Sequence, residues 1–135
     1  MLITCGPAER RVAREIVELA CHPRVVSCAD EALSIGLSKA CIRRSRLLVS
    51  TDSGPRFFAV AFGLPVITLF GPTEIGWTRT HYRREICLQH AVPCGPCARR
   101  TCPLGHHECM RSLSVDRVYA AVLAQLATAA GASAA

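Results

Sequence analysis

Residues 46–73 read RLLVSTDSGPRFFAVAFGLPVITLFGPT, and few folds accommodate that order. Leu47, Leu48 and Val49 form a short, continuously apolar run with polar ends, as a strand covered on both faces requires. Asp52, Ser53, Gly54 and Pro55 are turn formers. Segment 57–62 after them mixes aromatic and small apolar residues suited to packing a helix on a sheet. Pro65 then opens 66–70, a β-branched run of strand length that stops at Gly71, Pro72 and Thr73. The stretch is strand, loop, helix, strand, loop.

The rest of the chain repeats this alternation. Residues 1–5 are apolar, Gly6 and Pro7 interrupt them, and Val12, Ile16, Val17, Leu19 and Ala20 recur at helical spacing across 8–20. Residues 25–28 predict a second short strand. Asp30 is placed to cap a helix with Leu33, Leu37, Ala40 and Cys41 on one stripe. EICLQ at 85–89 predicts a last short strand, whereas 91–111 has no periodicity. Ser114 then caps a final helix with Asp116 in its first turn and Val115, Val118, Val122 and Leu126 as its buried stripe. Strands alternating with helices imply parallel pairing, right-handed crossovers and a doubly wound, Rossmann-like α/β sheet. An apolar strand that begins at Met1 with no glycine loop before it also predicts a domain cut at its front, lacking its first strand.

In such a sheet, ligands sit beyond the carboxyl ends of the strands, where a helix start offers N–H groups and a positive dipole end to an anion. Gly54 lets backbone approach a ligand without a Cβ. Ser53 offers a hydroxyl and an N–H, and Asp52 can accept hydrogen bonds from sugar hydroxyls. The same four residues also suit a plain capping turn. Trp77 and Tyr82, in the looser stretch 74–84, line a pocket or anchor the loop.

Nucleic acid is excluded as a partner on pattern rather than charge. The formal charge is +6, but the basic residues, all Arg except Lys39, are scattered and no recognition motif accompanies them. No apolar run has the length of a membrane helix, and the N-terminus lacks a signal peptide's charged start and cleavage site, so a soluble cytoplasmic protein is expected.

Nine cysteines without a secretory signal argue against a disulfide framework. Cys5, Cys21, Cys28 and Cys41 fall in apolar patterns and read as core filling. Cys94, Cys97, Cys102 and Cys109 differ. They occur as CxxC, four residues, Cys, six residues, Cys in a loop shaped by Gly95, Pro96, Pro103 and Gly105. A CxxC pair bites one tetrahedral metal and two more thiolates complete it, predicting a structural zinc or iron with His106 and His107 as reserve ligands. Reduced thiols or two disulfides are the alternatives. Four sulfur ligands would leave no open position, so no catalytic metal is expected there.

With these pieces in order, the chain resembles the C-terminal half of the ADP-heptose:lipopolysaccharide heptosyltransferases, the ninth family of glycosyltransferases. The resemblance is carried by GPAE at 6–9, STDSGP at 50–55, AFGLPVITLFGPT at 61–73, PCGPC and CPLGHHEC between 93 and 109, and SVDRVYAAV leading the last helix.

The resemblance implies a GT-B enzyme that moves heptose from a nucleotide diphosphate sugar to a lipopolysaccharide core acceptor, with inversion and without a catalytic divalent ion. Residues 1–130 would be its nucleotide-sugar-binding domain, 91–111 a cysteine knuckle within it and 131–135 a frayed tail. Donor binding carries over to Asp52, Ser53, Gly54 and Pro55, with Thr73 on the second loop and Glu9 near the ribose. No catalytic residue carries over. Position 57 is Phe where the family usually has His, and the family's catalytic base and acceptor surface belong to an N-terminal half. The implied partners are an ADP-heptose-like donor and a separate chain carrying that half, with the complete enzyme peripheral at the inner membrane. A non-catalytic nucleotide-binding module and a metal-stapled interaction domain are the competing readings.

Overall fold

A parallel β-α-β unit opens the chain in the computed structural model, which describes residues 1–131. Strand β1 (Leu2–Ile3) pairs with β2 (Val26–Ser27), and helix α1 (Arg10–Ala20), entered through a single 3-10 turn at Pro7–Glu9, connects them. Cys21 ends α1 in the left-handed region at φ 43, its N–H donating to the Glu18 carbonyl at 3.2 Å. Arg14 pairs with Asp30 at 2.6 Å and Arg10 donates to the Ala29 carbonyl, so α1 is tied to the chain after β2 by its arginines. Ala13 is the buried residue of α1, while Val12, Ile16 and Leu19 are exposed.

Two expectations are corrected in this stretch. Asp30 does not cap the next helix: its carboxylate serves Arg14, and α2 (Ile35–Arg43) starts later, with the Ser34 hydroxyl accepting the Leu37 N–H at 3.0 Å. Ser34 stands immediately before the first helical residue, the position from which a short side chain reaches those N–H groups. Cys21 is exposed at the left-handed cap and fills no core, whereas Cys28 is buried and Cys5 and Cys41 are partly buried.

From Ile42 onward the chain forms a second compact unit. Strands β3 (Leu48–Thr51), β4 (Val66–Phe70) and β5 (Glu85–Gln89) form a parallel sheet in that order, with Leu48 opposite Val66 and Val66 opposite Glu85. β4 is central because VITLF can be buried on both faces, and its Val66, Ile67, Thr68 and Phe70 are fully covered. On one face Val66 packs with Ile42 and with Ala59 of α3 (Gly54–Ala61). On the other, Ile67 packs with Leu88, Leu113 and, from the long last helix, Val118 and Val122. α3 begins at Gly54, ahead of the apolar segment expected to form it, with Pro55 in its first turn, where a missing N–H costs nothing. Gly63, at φ +72, supplies the left-handed turn out of this helix that a side chain would strain.

Two one-turn helices, α4 (Ile75–Thr78) and α5 (Glu108–Arg111), are too short to leave a periodic signal. The last helix, α6 (Val115–Gly131), is capped as expected by Ser114, whose hydroxyl accepts the Arg117 N–H at 3.3 Å. Its stripe needs one correction: Val115 is 82% exposed, and buried Gln125 instead donates to the Arg84 carbonyl at 3.1 Å. Val115 shares the face of Val118 and Val122 but is the first helical residue, and contact with the sheet begins one turn later, at Val118.

Parallel strands with flanking helices are thus present as expected. The strands are divided into a two-stranded and a three-stranded sheet. The expected tail at 131–135 lies, from 132 on, outside the described residues. No described helix is long and apolar enough to cross a membrane.

Candidate functional site

β3 and β4 end on the same side of their sheet, and each releases one of the two loops singled out in the sequence. After Thr51, Asp52 donates its N–H to the Leu69 carbonyl at 3.2 Å, and Ser53 takes an extended conformation as the N-cap of α3. The Ser53 hydroxyl does not cap the helix. It bonds the Ser50 hydroxyl at 3.1 Å and the Thr51 carbonyl at 3.3 Å. Gly54 follows, exposed, and a methyl group built on it would meet no atom within 4 Å. Neither packing nor backbone conformation demands glycine there. The head of α3 opens onto space in which a ligand's phosphate could approach the backbone.

Asp52 turns inward. Its side chain is 12% exposed, and Oδ1 accepts the Thr78 hydroxyl at 2.9 Å and lies 3.4 Å from Arg56 Nη2. Arg56, in the first turn of α3, is fully buried. Its Nη1 donates to Glu85 Oε1 at 3.0 Å and its Nη2 to the Thr78 carbonyl, while the guanidinium lies 4.6 Å from the centre of the Phe57 ring and 5.3 Å from that of Phe70. Arg56 Nε has no hydrogen-bond partner among the described residues. Glu85, whose side chain is 3% exposed, also accepts the hydroxyls of Thr68, at 2.6 Å, and Thr80. Buried charges persist only when paired and hydrogen-bonded, and here one arginine meets two carboxylates and three threonines complete the shell. The cluster joins the end of β3, α3, the end of α4, mid-β4 and the start of β5.

Sequence reasoning missed this cluster, although signals were present. Arg56 interrupts an apolar helical run four residues after an aspartate, and Glu85 heads an otherwise apolar strand. Burial, and then the Glu85 charge, push the neighbouring Cys87 thiol above its ordinary range. Cys87, Glu85, Arg79, His81, Tyr82 and Arg83 line an open cavity of about 570 Å³. Tyr82 is therefore a lining residue, and Trp77 is 68% exposed.

The second loop is fixed from β5: Gln89 Nε2 donates to the carbonyls of Gly71, at 3.2 Å, and Thr73, at 2.8 Å. Asp52, Ser53, Gly54, Pro55 and Thr73 all belong to the second unit. Glu9 belongs to the first, where its exposed carboxylate accepts the Gly6 N–H at 2.7 Å.

Cys94, Cys97, Cys102, Cys109, His106 and His107 line one cavity of about 180 Å³. Nearby backbone N–H groups, that of His107 foremost, hold the Cys102 thiol below the ordinary range. Cys94 Sγ lies 3.8 Å from His106 Nε2. Among the described residues, no three of these side chains already meet around a point that would hold a metal ion.

Residues 2–108 match the profile of glycosyltransferase family 9 (heptosyltransferase). The chain belongs to glycosyltransferase family 9. This family 9 chain is 28% identical over 120 residues to lipooligosaccharide heptosyltransferase 2 of Campylobacter jejuni, a match covering 87% of the chain and 38% of that protein. To lipopolysaccharide heptosyltransferase 1 of Pseudomonas aeruginosa it is 34% identical over 92 residues, covering 68% of the chain and 24% of the relative. Its fold matches the structure of E. coli ADP-heptose lps heptosyltransferase II with a TM-score of 0.76 at 18% identity, covering 94% of the chain and 36% of that protein. A family 9 glycosyltransferase from Veillonella parvula gives 0.74 at 20% identity, with the same coverage. The family 9 chain thus spans well under half the length of these relatives.

Proposed function

We propose that this chain carries the nucleotide-diphosphate-sugar site of a heptosyltransferase that moves heptose from ADP-heptose to a lipopolysaccharide core acceptor. The observation that carries this reading is the open space over Gly54 at the head of α3, in a family 9 chain. The donor's pyrophosphate lies against the backbone of Ser53 and Gly54, with Pro55 shaping the turn and Thr73 bordering it from the second loop. As the bond from the sugar's anomeric carbon to the diphosphate breaks, the departing oxygens gain negative charge. The N–H groups and dipole at the helix start then stabilise the transition state more than the ground state. Asp52 contributes chiefly by fixing the loop through Arg56 and Thr78. A catalytic divalent ion has no part in this scheme.

Residues 1–130 act as the donor half. The base and the acceptor surface come from a separate N-terminal half, so turnover requires that partner, and the complete enzyme works at the cytoplasmic side of the inner membrane. A thermal-shift titration with ADP and ADP-heptose tests donor binding, because a ligand at a hundred times its Kd stabilises the folded state by about 2.7 kcal/mol. An unmoved midpoint at millimolar ligand overturns it. Ordinary steady-state turnover by this chain alone would overturn the dependence on a partner.

A second reading is a nucleotide-binding module without chemistry, and Phe57 favours it. Where the family usually has His, the Phe57 ring lies on the Arg56 guanidinium and offers no proton to a phosphate. Donor binding without transfer, even when the N-terminal half is supplied, selects this reading.

A further inference from the structure

We propose that Cys94, Cys97, Cys102 and Cys109 form a tetrahedral four-thiolate site for zinc or iron, and that His106 supports it from outside as a hydrogen-bond donor to Cys94 and is not a ligand. This site does not rest on any glycosyl transfer.

The first argument is what the loop lacks. Residues 94–107 contain no helix or strand and are largely exposed, with Arg99, Arg100 and Leu104 facing solvent. Few backbone bonds hold residues 94–106: Ala98 N–H to the Pro72 carbonyl at 2.8 Å, Gly95 N–H to Val92 at 3.0 Å and Gly105 N–H to Cys102 at 3.2 Å. A segment of this length with no core of its own needs another staple, and thiolates on a metal are one that small cysteine-rich segments use.

The second argument is where the sulfurs lie: Cys94, Cys97, Cys102 and Cys109 line one cavity together with His106. Cys94 also faces a donor on a side chain, as metal-bound thiolates do. The Glu108 N–H donates to His106 Nδ1 at 3.0 Å, so that nitrogen carries the lone pair and the neutral ring's proton sits on Nε2. That Nε2–H faces Cys94 Sγ at 3.8 Å. An imidazole with Nδ1 accepting and Nε2 protonated has no lone pair left for a metal, which leaves the four sulfurs as the donor set.

Cys109 supplies the anchor. It sits in α5 beside β4, its sulfur 3.7 Å from the methyl position of buried Gly71, so a metal would fasten the loop to the sheet. In the proposed site the thiols lining the cavity turn inward about their Cα–Cβ bonds, and each gives up its proton as it binds.

Elemental analysis of the full chain purified without chelator should find about one zinc or iron per chain, the element identifying the ion, with four thiols shielded from alkylation until the metal is stripped. Cobalt substitution should show sulfur-to-cobalt charge transfer and the absorption of a tetrahedral all-sulfur site. C97S should lose the metal. H106A should keep the all-sulfur cobalt spectrum and bind zinc about 10–100-fold more weakly, as expected for a lost outer-shell donor. Metal near zero with four freely titratable thiols in the unmutated chain overturns the site, whether or not C97S folds. A cobalt spectrum with a nitrogen ligand that disappears in H106A overturns the role given to His106.

Discussion

The Arg56 guanidinium donates to Glu85 Oε1 at 3.0 Å, so the first turn of the helix after the glycine loop is fastened to the start of a strand far along the chain. Because Arg56 also lies 3.4 Å from Asp52, the loop's aspartate and the strand's glutamate share one buried cation.

R56A removes that cation and leaves Glu85 buried without a counter-charge. The expected cost is about 3–5 kcal/mol, enough to unfold many domains of this size. R56K keeps the charge without the planar fork, and its cost should be smaller. Urea denaturation of both variants checks this, and an R56A midpoint equal to that of the unmutated chain would refute the role of the cluster.

G54A should separate folding from binding. The methyl meets open space, and the backbone conformation suits any residue, so stability should hold or rise by about 0.4–1 kcal/mol through a less flexible unfolded chain. If the space is for phosphate, ADP should bind more weakly. Paired thermal melts with and without ADP measure both effects, and unchanged nucleotide affinity would remove Gly54 from the site.

G71A probes the contact between the second loop and α5. A methyl there would fall 2.6 Å from Met110 Sδ and 2.8 Å from its Cγ. Overpacking of this kind costs about 1–3 kcal/mol, and the flexible thioether places it toward the lower end. Adding M110A should recover part of the loss that G71A causes, and a double-mutant cycle with no coupling energy would contradict the contact.

Alkaline pH should loosen the fold through two thiols. Burial first, then a hydrogen bond with Cys41, raises the Cys28 thiol above the ordinary 9.0, and burial followed by the Glu85 charge raises Cys87. The folded chain therefore keeps protons that the unfolded chain releases. Their stabilising contribution is intact below the unfolded value and is lost as pH rises through the higher folded values. Urea midpoints should fall from about pH 9 upward, and the double variant C28A/C87A should show a shallower decline. Equal slopes would show that other groups set the alkaline limit.

Much of this fold was legible in the chain. VITLF could only be a doubly covered strand, and Ser114 announced the last helix, because both depend on local pattern and capping. The loop at 52–55 was legible as a place but not as a mechanism. That Asp52 looks inward depends on Thr78 and Glu85, which meet only after the chain has folded, and no window of sequence holds all three. The misreading of Asp30 has the same origin: Arg14 claims it across the turn. Val115 failed because a helical stripe gives spacing but not the turn at which contact with the sheet begins.

For anyone charting this chain by saturation mutagenesis, the buried cluster has a practical meaning. Thr68, Thr80 and Glu85 all hold Arg56 in place or share its acceptor. In a screen for nucleotide capture, their variants will score as though they lined the pocket, though none lies on the loop. The heat map will trace the bracing of the loop rather than its surface, and Gly54, where the donor is proposed to approach, will stand out only when abundance is scored alongside binding.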